Sequence, residues 1–172
     1  VKEKRVPLLV RGFAAARRDH PTLRLEVYGD GPHRSRAEEV ASELGIQEAV
    51  AFLGKRPQAD IERAFVRASC VATASEREGY GLIIVEAAAC GTPSVVVAGS
   101  ENAAVELVRD GVNGAVAFEP TPESLGRSIA AVIDGDRPLR ESTLRWFVDN
   151  ASDLRLERSL ELVTRSYGDA LS

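Results

Sequence analysis

Apolar and polar positions alternate along the chain in two different periods, and the periods take turns. "VPLLVRGFAAARRDH" places Leu8, Leu9, Gly12, Phe13 and Ala16 on one face of a helix. "LRLEVYG", Leu23 to Gly29, alternates apolar and polar residues as a strand does. "RSRAEEVASELG" predicts a helix with Ala37, Val40 and Leu44 inward and Gly45 as its stop. "AVAFLG" predicts a short buried strand, "ADIERAFVRA" a helix aligned on Ile61, Phe65 and Ala68, and "SCVATA" a strand. A loop from Ser75 to Gly79 then leads into a helix from about Tyr80 to Cys90, with Gly91 as stop and "SVVVA" as the next strand. "ENAAVELVRDG" has a helical pattern and "NGAVAF" that of a short strand. "TPESLGRSIAAVIDG" predicts a helix capped by Thr121 with Pro122 at its first position, and helical patterns run on to the end.

Strands that alternate with helices imply a parallel sheet with helices on both faces, a Rossmann-like α/β fold. Such sheets bind ligands beyond the carboxyl ends of their strands. The loops that matter therefore follow Tyr28, Leu53, Ala74, Ala98 and Phe118.

Composition narrows the picture a little. The 172 residues suit one domain, and 44% hydrophobic residues suffice for a core. A net charge of -4 argues against nucleic acid as a partner. The first 36 residues nevertheless hold nine Lys or Arg against four Asp or Glu. That excess suits either an anionic ligand or a solvated helix face. Cys70 and Cys90 make neither a disulfide framework nor a zinc site, and their apolar surroundings predict buried, reduced core residues. No stretch approaches the ~20 apolar residues of a membrane span. The start, "VKEKRVP", lacks the apolar segment of a signal peptide. A cytoplasmic domain without encoded membrane contact is the expectation.

The loops carry the chemistry. "GDGPHR" is not a dinucleotide fingerprint: Gly29 and Gly31 fit G-x-G, but Arg34 holds the third glycine position. A hydride-transferring enzyme is disfavoured. Lys55 and Arg56 face either a nucleotide or solvent. His20, before Pro21, reads as a solvated turn residue, and His33 follows no catalytic pattern. In "SEREGYGLIIVEAAACGTPSVVVA", Gly79 and Gly81 let backbone come close to something, and a helix follows. Its first amides lack intrahelical partners and form an anion site suited to a diphosphate. Glu78 precedes that helix and Glu86 interrupts its apolar run. A buried Glu86 needs donors, and these are either protein groups or a sugar diol.

The same stretch resembles the donor-binding segment of retaining glycosyltransferases of the two-domain GT-B fold, the group of bacterial glycogen synthases, sucrose synthases and phosphatidylinositol mannosyltransferases. Their pattern, E-x7-E within S-x-x-E-G-[FY]-G-L-x-x-x-E-A-x-A-x-G-x-P, is matched by Ser75, Glu78, Gly79, Tyr80, Gly81, Leu82, Glu86, Ala87, Ala89, Gly91 and Pro93. "KRVPLLVRGFA", "LRLEVYGDGP", "VAFLG" and "VELVRDGVNG" are similar to flanking pieces in the same order.

The resemblance implies residue roles. Lys4 contacts the donor diphosphate, and the amides of Tyr80, Gly81 and Leu82 hold phosphate. Glu78, beside Gly79, bonds the donor sugar, and Glu86 holds the ribose. Arg56 and Pro57 lie against the base, with Gly29 in the neighbouring glycine-rich turn. The donor is a nucleotide sugar such as a UDP- or GDP-sugar, with no cofactor and no metal. Residues 1–172 correspond to a carboxyl-terminal donor-binding domain, without the family's first strand and its amino-terminal acceptor domain. The departures are Arg5 where the family has glycine, "SENAA" where it often has a Gly-Gly pair, and Trp146 earlier than its usual tryptophan. The rival expectations are a non-catalytic nucleotide-binding module of the same fold and a sugar-phosphate epimerase.

Overall fold

The computed structural model describes residues 4–151. The helical patterns noted beyond residue 151 lie outside them. In order, the elements are α1 (Val6–Ala16), β1 (Leu25–Tyr28), α2 (Arg34–Glu43), β2 (Val50–Gly54), α3 (Gln58–Arg67), β3 (Val71–Thr73), β4 (Arg77–Glu78), α4 (Leu82–Ala89), β5 (Ser94–Val97), β6 (Glu101–Asn102), β7 (Gly114–Ala117) and α5 (Pro122–Asn150). Short 3-10 turns cover Gln47–Ala49 and Ala103–Leu107. Every strand pairing is parallel: β1 with β2, β3 with β5, β5 with β7, and β4 with β6.

Strand β5 is the centre of the architecture, and its run of valines explains why. Successive strand side chains point to opposite faces. Val95 and Val97 join Leu125, Ile129 and Val132 of α5, together with Ala16 of α1. Val96 joins Ile84 of α4 and Val116 of β7 on the other face. Both faces are covered, so no polar alternation is wanted, and all four residues of β5 are buried. A third cluster sets Val10 and Phe13 of α1 against Ala37, Val40 and Ala41 of α2, with Leu25 and Val27 of β1 packed on it. Helix α1 thus bridges the β1–β2 and the β3–β5–β7 cores. It lies unusually close to α5: a Cβ on Gly126 would stand 2.6 Å from Ala15 Cβ, and one on Gly12 would stand 2.6 Å from Leu125.

Several expectations need correction. Leu44 is not inward but 40% exposed; Ala41 takes the buried position on α2. Strand β2 is only partly buried: Val50 and Gly54 are buried, Phe52 and Leu53 half-buried, and Ala51 is exposed. The segment from Glu101 is no α-helix: it is the short strand β6 and then a 3-10 turn. The Asn102 carboxamide explains this by accepting from the Ala104 amide at 3.2 Å, which starts a tight turn instead of a regular helix. His20 is only partly solvated, its side chain 23% exposed, and lies 3.4 Å from Asp134. Cys70 and Cys90 are free thiols and only half-buried as residues. Helix α5 begins at Pro122 with the Thr121 hydroxyl accepting from Ser124 N at 3.2 Å, as its cap signal predicts. It kinks at Asp136, two residues before Pro138.

Candidate donor-binding site

The site grows from the carboxyl end of β3. Beyond Thr73 the chain leaves the sheet through the buried Ala74 and Ser75. It is gripped there from two sides. Arg5 Nε donates to the Ala74 carbonyl at 2.7 Å, and its Nη2 donates to the Ser75 carbonyl at 3.2 Å. From the other side, Asn102 Nδ2 donates to the same Ser75 carbonyl at 3.1 Å and to the Val97 carbonyl at 2.8 Å. The tether feeds the chain into β4, which pairs with β6 in the register Arg77 with Glu101 and Glu78 with Asn102.

Lys4, Arg77, Glu78, Gly79 and Glu101 line a cleft of about 560 Å³ at this edge. Two ion pairs order it. Lys4 Nζ meets Glu78 Oε2 at 2.6 Å, and Arg77 Nε meets Glu101 Oε2 at 2.5 Å. The Glu78 side chain is 22% exposed and that of Lys4 is 56% exposed. A pair so open to water contributes about 1 kcal/mol or less. Lys4 can therefore change partner at little cost.

Helix α4 starts just past the cleft. Gly81 is its N-cap at φ 61°, ψ 30°. Only glycine adopts this left-handed conformation freely. A Cβ on Gly81 would lie 2.9 Å from Leu107 Cδ1 and 3.0 Å from Ala104 Cα. The turn thus presses the helix start onto the 103–107 segment. The first amides of α4 have no intrahelical acceptor and carry the positive end of the helix dipole. A Cβ on Gly79 would meet no protein atom within 4 Å, so the protein itself does not demand glycine there.

Of the predicted residues, Lys4, Glu78 and Gly79 come together in the cleft. Tyr80, Gly81 and Leu82 follow directly; Tyr80 is 72% and Leu82 49% exposed. Glu86 is exposed on the outer face of α4 with Leu82 and Ala89, while Ile84, Ala87 and Ala88 face the core. The expectation that it needs donors, protein groups or a sugar diol, rested on burial and falls with it. Gly29, Arg56 and Pro57 belong to the adjoining β1 and β2 ends. There the Gly29 amide donates to the Gly54 carbonyl at 2.8 Å, and Asp30 accepts from the Lys55 amide at 3.2 Å and from Arg34 at 2.9 Å. Those bonds hold the Asp30 carboxyl below its usual range, the Arg34 contact foremost. Arg56 and Pro57 are exposed. Sequence reasoning missed Arg77, Glu101, Arg5 and Asn102. Two-residue strands carry no readable period, and only the Arg5 departure from the family glycine left a signal.

An open parallel α/β domain whose charged crevice lies at the carboxyl edge of its strands, beside a helix start, is the architecture of one half of a GT-B enzyme. The solved structures agree on the fold. Staphylococcus aureus TarM, crystallised with UDP, superposes with a TM-score of 0.82 at 18% identity over 94% of this chain and 32% of its own. Anabaena HepE, crystallised with UDP and glucose, gives 0.81 at 22% identity over 98% of this chain and 46% of its own. Residues 1–145 match the family described as glycosyl transferases group 1, and the chain belongs to that family. A D-inositol 3-phosphate glycosyltransferase of Mycolicibacterium gilvum is 35% identical over 77% of this chain. An exopolysaccharide phosphotransferase of Streptomyces coelicolor is 31% identical over 96% of it. The chain spans 29% and 18% of the length of these two relatives.

Proposed function

We propose that this chain is the donor-binding half of a retaining, metal-independent glycosyltransferase that moves a sugar from a nucleotide sugar, such as a UDP- or GDP-sugar, to an acceptor held by an amino-terminal domain. The observation that carries this reading is the meeting of Lys4 and Glu78, 74 residues apart in sequence, in one cleft beside the start of α4. Lys4 exchanges Glu78 for the donor diphosphate. The amides of Tyr80, Gly81 and Leu82 hold the same phosphates. Glu78, released, bonds the sugar. Glu86 holds the ribose, a role suited to an exposed carboxylate with acceptor capacity to spare. Arg56, Pro57 and Gly29 line the base side. No side chain acts as nucleophile; the cations stabilise the charge that develops on the departing diphosphate. No cofactor is required. The free thiols of Cys70 and Cys90 suit the reducing cytoplasm. The outer edges of β1 and β3, unpaired among the described residues, suit the additional strand that the family resemblance expects.

The two glutamates provide the test, in the full-length protein and against a panel of nucleotide sugars. Glu86→Ala weakens binding of free nucleoside diphosphate and of nucleotide sugar alike, by about 1.5–3 kcal/mol for a lost charge-assisted pair. Glu78→Gln leaves nucleoside diphosphate affinity near the parent and lowers kcat. Both variants melt near the parent, because neither carboxylate supports the core. Equal loss of nucleoside diphosphate binding in the two variants overturns the assignment.

A further inference from the structure

We infer that Arg5 is a positioning residue: it holds the Glu78 loop against α1 while Lys4 leaves Glu78 for phosphate. The inference rests on the proposed function above. Three observations carry it. Arg5 adopts φ 43°, ψ 42°, a left-handed conformation that a side-chain-bearing residue takes only at a cost. Glycine would take it freely, so something repays keeping arginine there. Its guanidinium spans 69 and 70 residues of sequence to fork onto the Ala74 and Ser75 carbonyls, just where the chain turns from β3 toward Glu78. The neighbouring Lys4 binds Glu78 itself. Two consecutive residues thus grip both ends of the tetrapeptide from Ser75 to Glu78.

The grips differ in kind. The Lys4 contact is a half-exposed ion pair, while the Arg5 contact reaches two carbonyls of residues that are each 1% exposed. When Lys4 turns to a diphosphate, its hold on Glu78 is lost. Arg5 has no carboxylate to exchange and stays on the backbone. Asn102 shares the Ser75 carbonyl but ties it to β5, not to α1. Among the described residues, only Arg5 keeps the spacing between the residue that binds phosphate and the residue that binds sugar.

The test uses the full-length protein with Arg5→Gly and Arg5→Lys. Glycine suits the left-handed backbone, so Lys4 keeps its path and strain relief offsets the lost hydrogen bonds. The melting midpoint stays within about 3 °C of the parent. UDP and GDP affinities by calorimetry stay within about threefold, because the contacts proposed for them, from Lys4, the α4 amides, Glu86 and the Gly29, Arg56 and Pro57 side, do not include Arg5. For whichever of UDP-glucose and GDP-mannose the parent turns over, kcat falls about 100-fold, the cost of a reacting group displaced by about 1 Å. Guanidinium chloride at tens of millimolar restores about tenfold of that loss in Arg5→Gly, whereas sodium chloride at equal concentration does not. Arg5→Lys stays impaired, because an ammonium cannot fork onto two carbonyls. An unchanged kcat, a loss of diphosphate affinity equal to the loss of kcat, or no guanidinium rescue overturns the positioning role alone. A parent that binds neither UDP nor GDP, or turns over neither nucleotide sugar, overturns the proposed function and this inference with it.

Discussion

Replacing Gly81 by alanine tests whether the start of α4 is fixed by packing. The residue sits at φ 61°, where a Cβ costs about 1 kcal/mol. The added methyl would also stand 2.9 Å from Leu107 Cδ1, 3.0 Å from Ala104 Cα and 3.1 Å from Ala104 Cβ. Leucine can swing aside, but the Ala104 backbone cannot. Ala104 is 1% exposed and lies in the cluster with Ile84 and Val96. Overpacking of this kind costs about 1–3 kcal/mol. The sum, about 2–4 kcal/mol, lowers the melting midpoint by roughly 4–16 °C for a domain of this size. Gly79→Ala is the matched control. Its Cβ meets no protein atom within 4 Å, and its φ is not in the left-handed region, so stability changes by about 0.5 kcal/mol or less. Nucleotide-sugar affinity should nevertheless fall, because a donor seated in the cleft meets the new methyl. Calorimetric melting and titration of both variants check the pair. A Gly81→Ala protein that melts with the parent refutes the packing argument, and a Gly79→Ala protein that binds donor like the parent refutes the place given to the donor.

Two further outcomes follow. Burial pushes the Cys70 thiol up to about 12 from an ordinary value of 9.0, so iodoacetamide at pH 8 should alkylate it about a thousandfold more slowly than a free thiol until the protein is unfolded; rapid native labelling, read by peptide mass, contradicts that burial. A chelator should leave sugar transfer by the full-length protein unchanged if, as proposed, Lys4 and the α4 amides supply the positive charge that a divalent ion would otherwise bring. Activity lost to chelator and restored by magnesium or manganese would falsify that.

What the sequence revealed depended on how many residues each element could use to state its period. The apolar runs at 94–97 and 114–117 have one physical reading, strands covered on both faces, and both are found. Thr121 followed by Pro122 fixed the start of α5 to the residue. Segment 101–111 went the other way. Its apolar spacing is helical, but one buried side chain, Asn102, bonds to the backbone at Ser75, Val97 and Ala104 and imposes a strand-and-turn path. Local period cannot show a contact made across 27 residues. Strands β4 and β6 are two residues each and exist because Arg5 and Asn102 hold the chain in place. Glu86 was singled out by the family pattern and by its apolar neighbours. Those neighbours are apolar because α4 buries the opposite face, so they did not forecast its environment.

The first turn of α1 breaks two rules of helix design at once. No acidic residue stands there; instead Lys4 and Arg5 put two cations beside the positive end of the helix dipole. Arg5 also takes the left-handed conformation at the N-cap, without any side-chain cap bond to its own helix. Each choice costs stability locally, and neither helps the helix to form. Both are repaid only across the crevice, by Glu78 and by the carbonyls of Ala74 and Ser75. A helix start assembled against its own preferences is here satisfied by the loop it faces, a local conflict of the kind found at functional sites. On the proposed function, an anion entering the cleft would meet Lys4, with the start of α4 following three residues beyond Gly79. On the same reading, a diphosphate would take over from Glu78 the negative charge that the first turn of α1 lacks and that Lys4 needs.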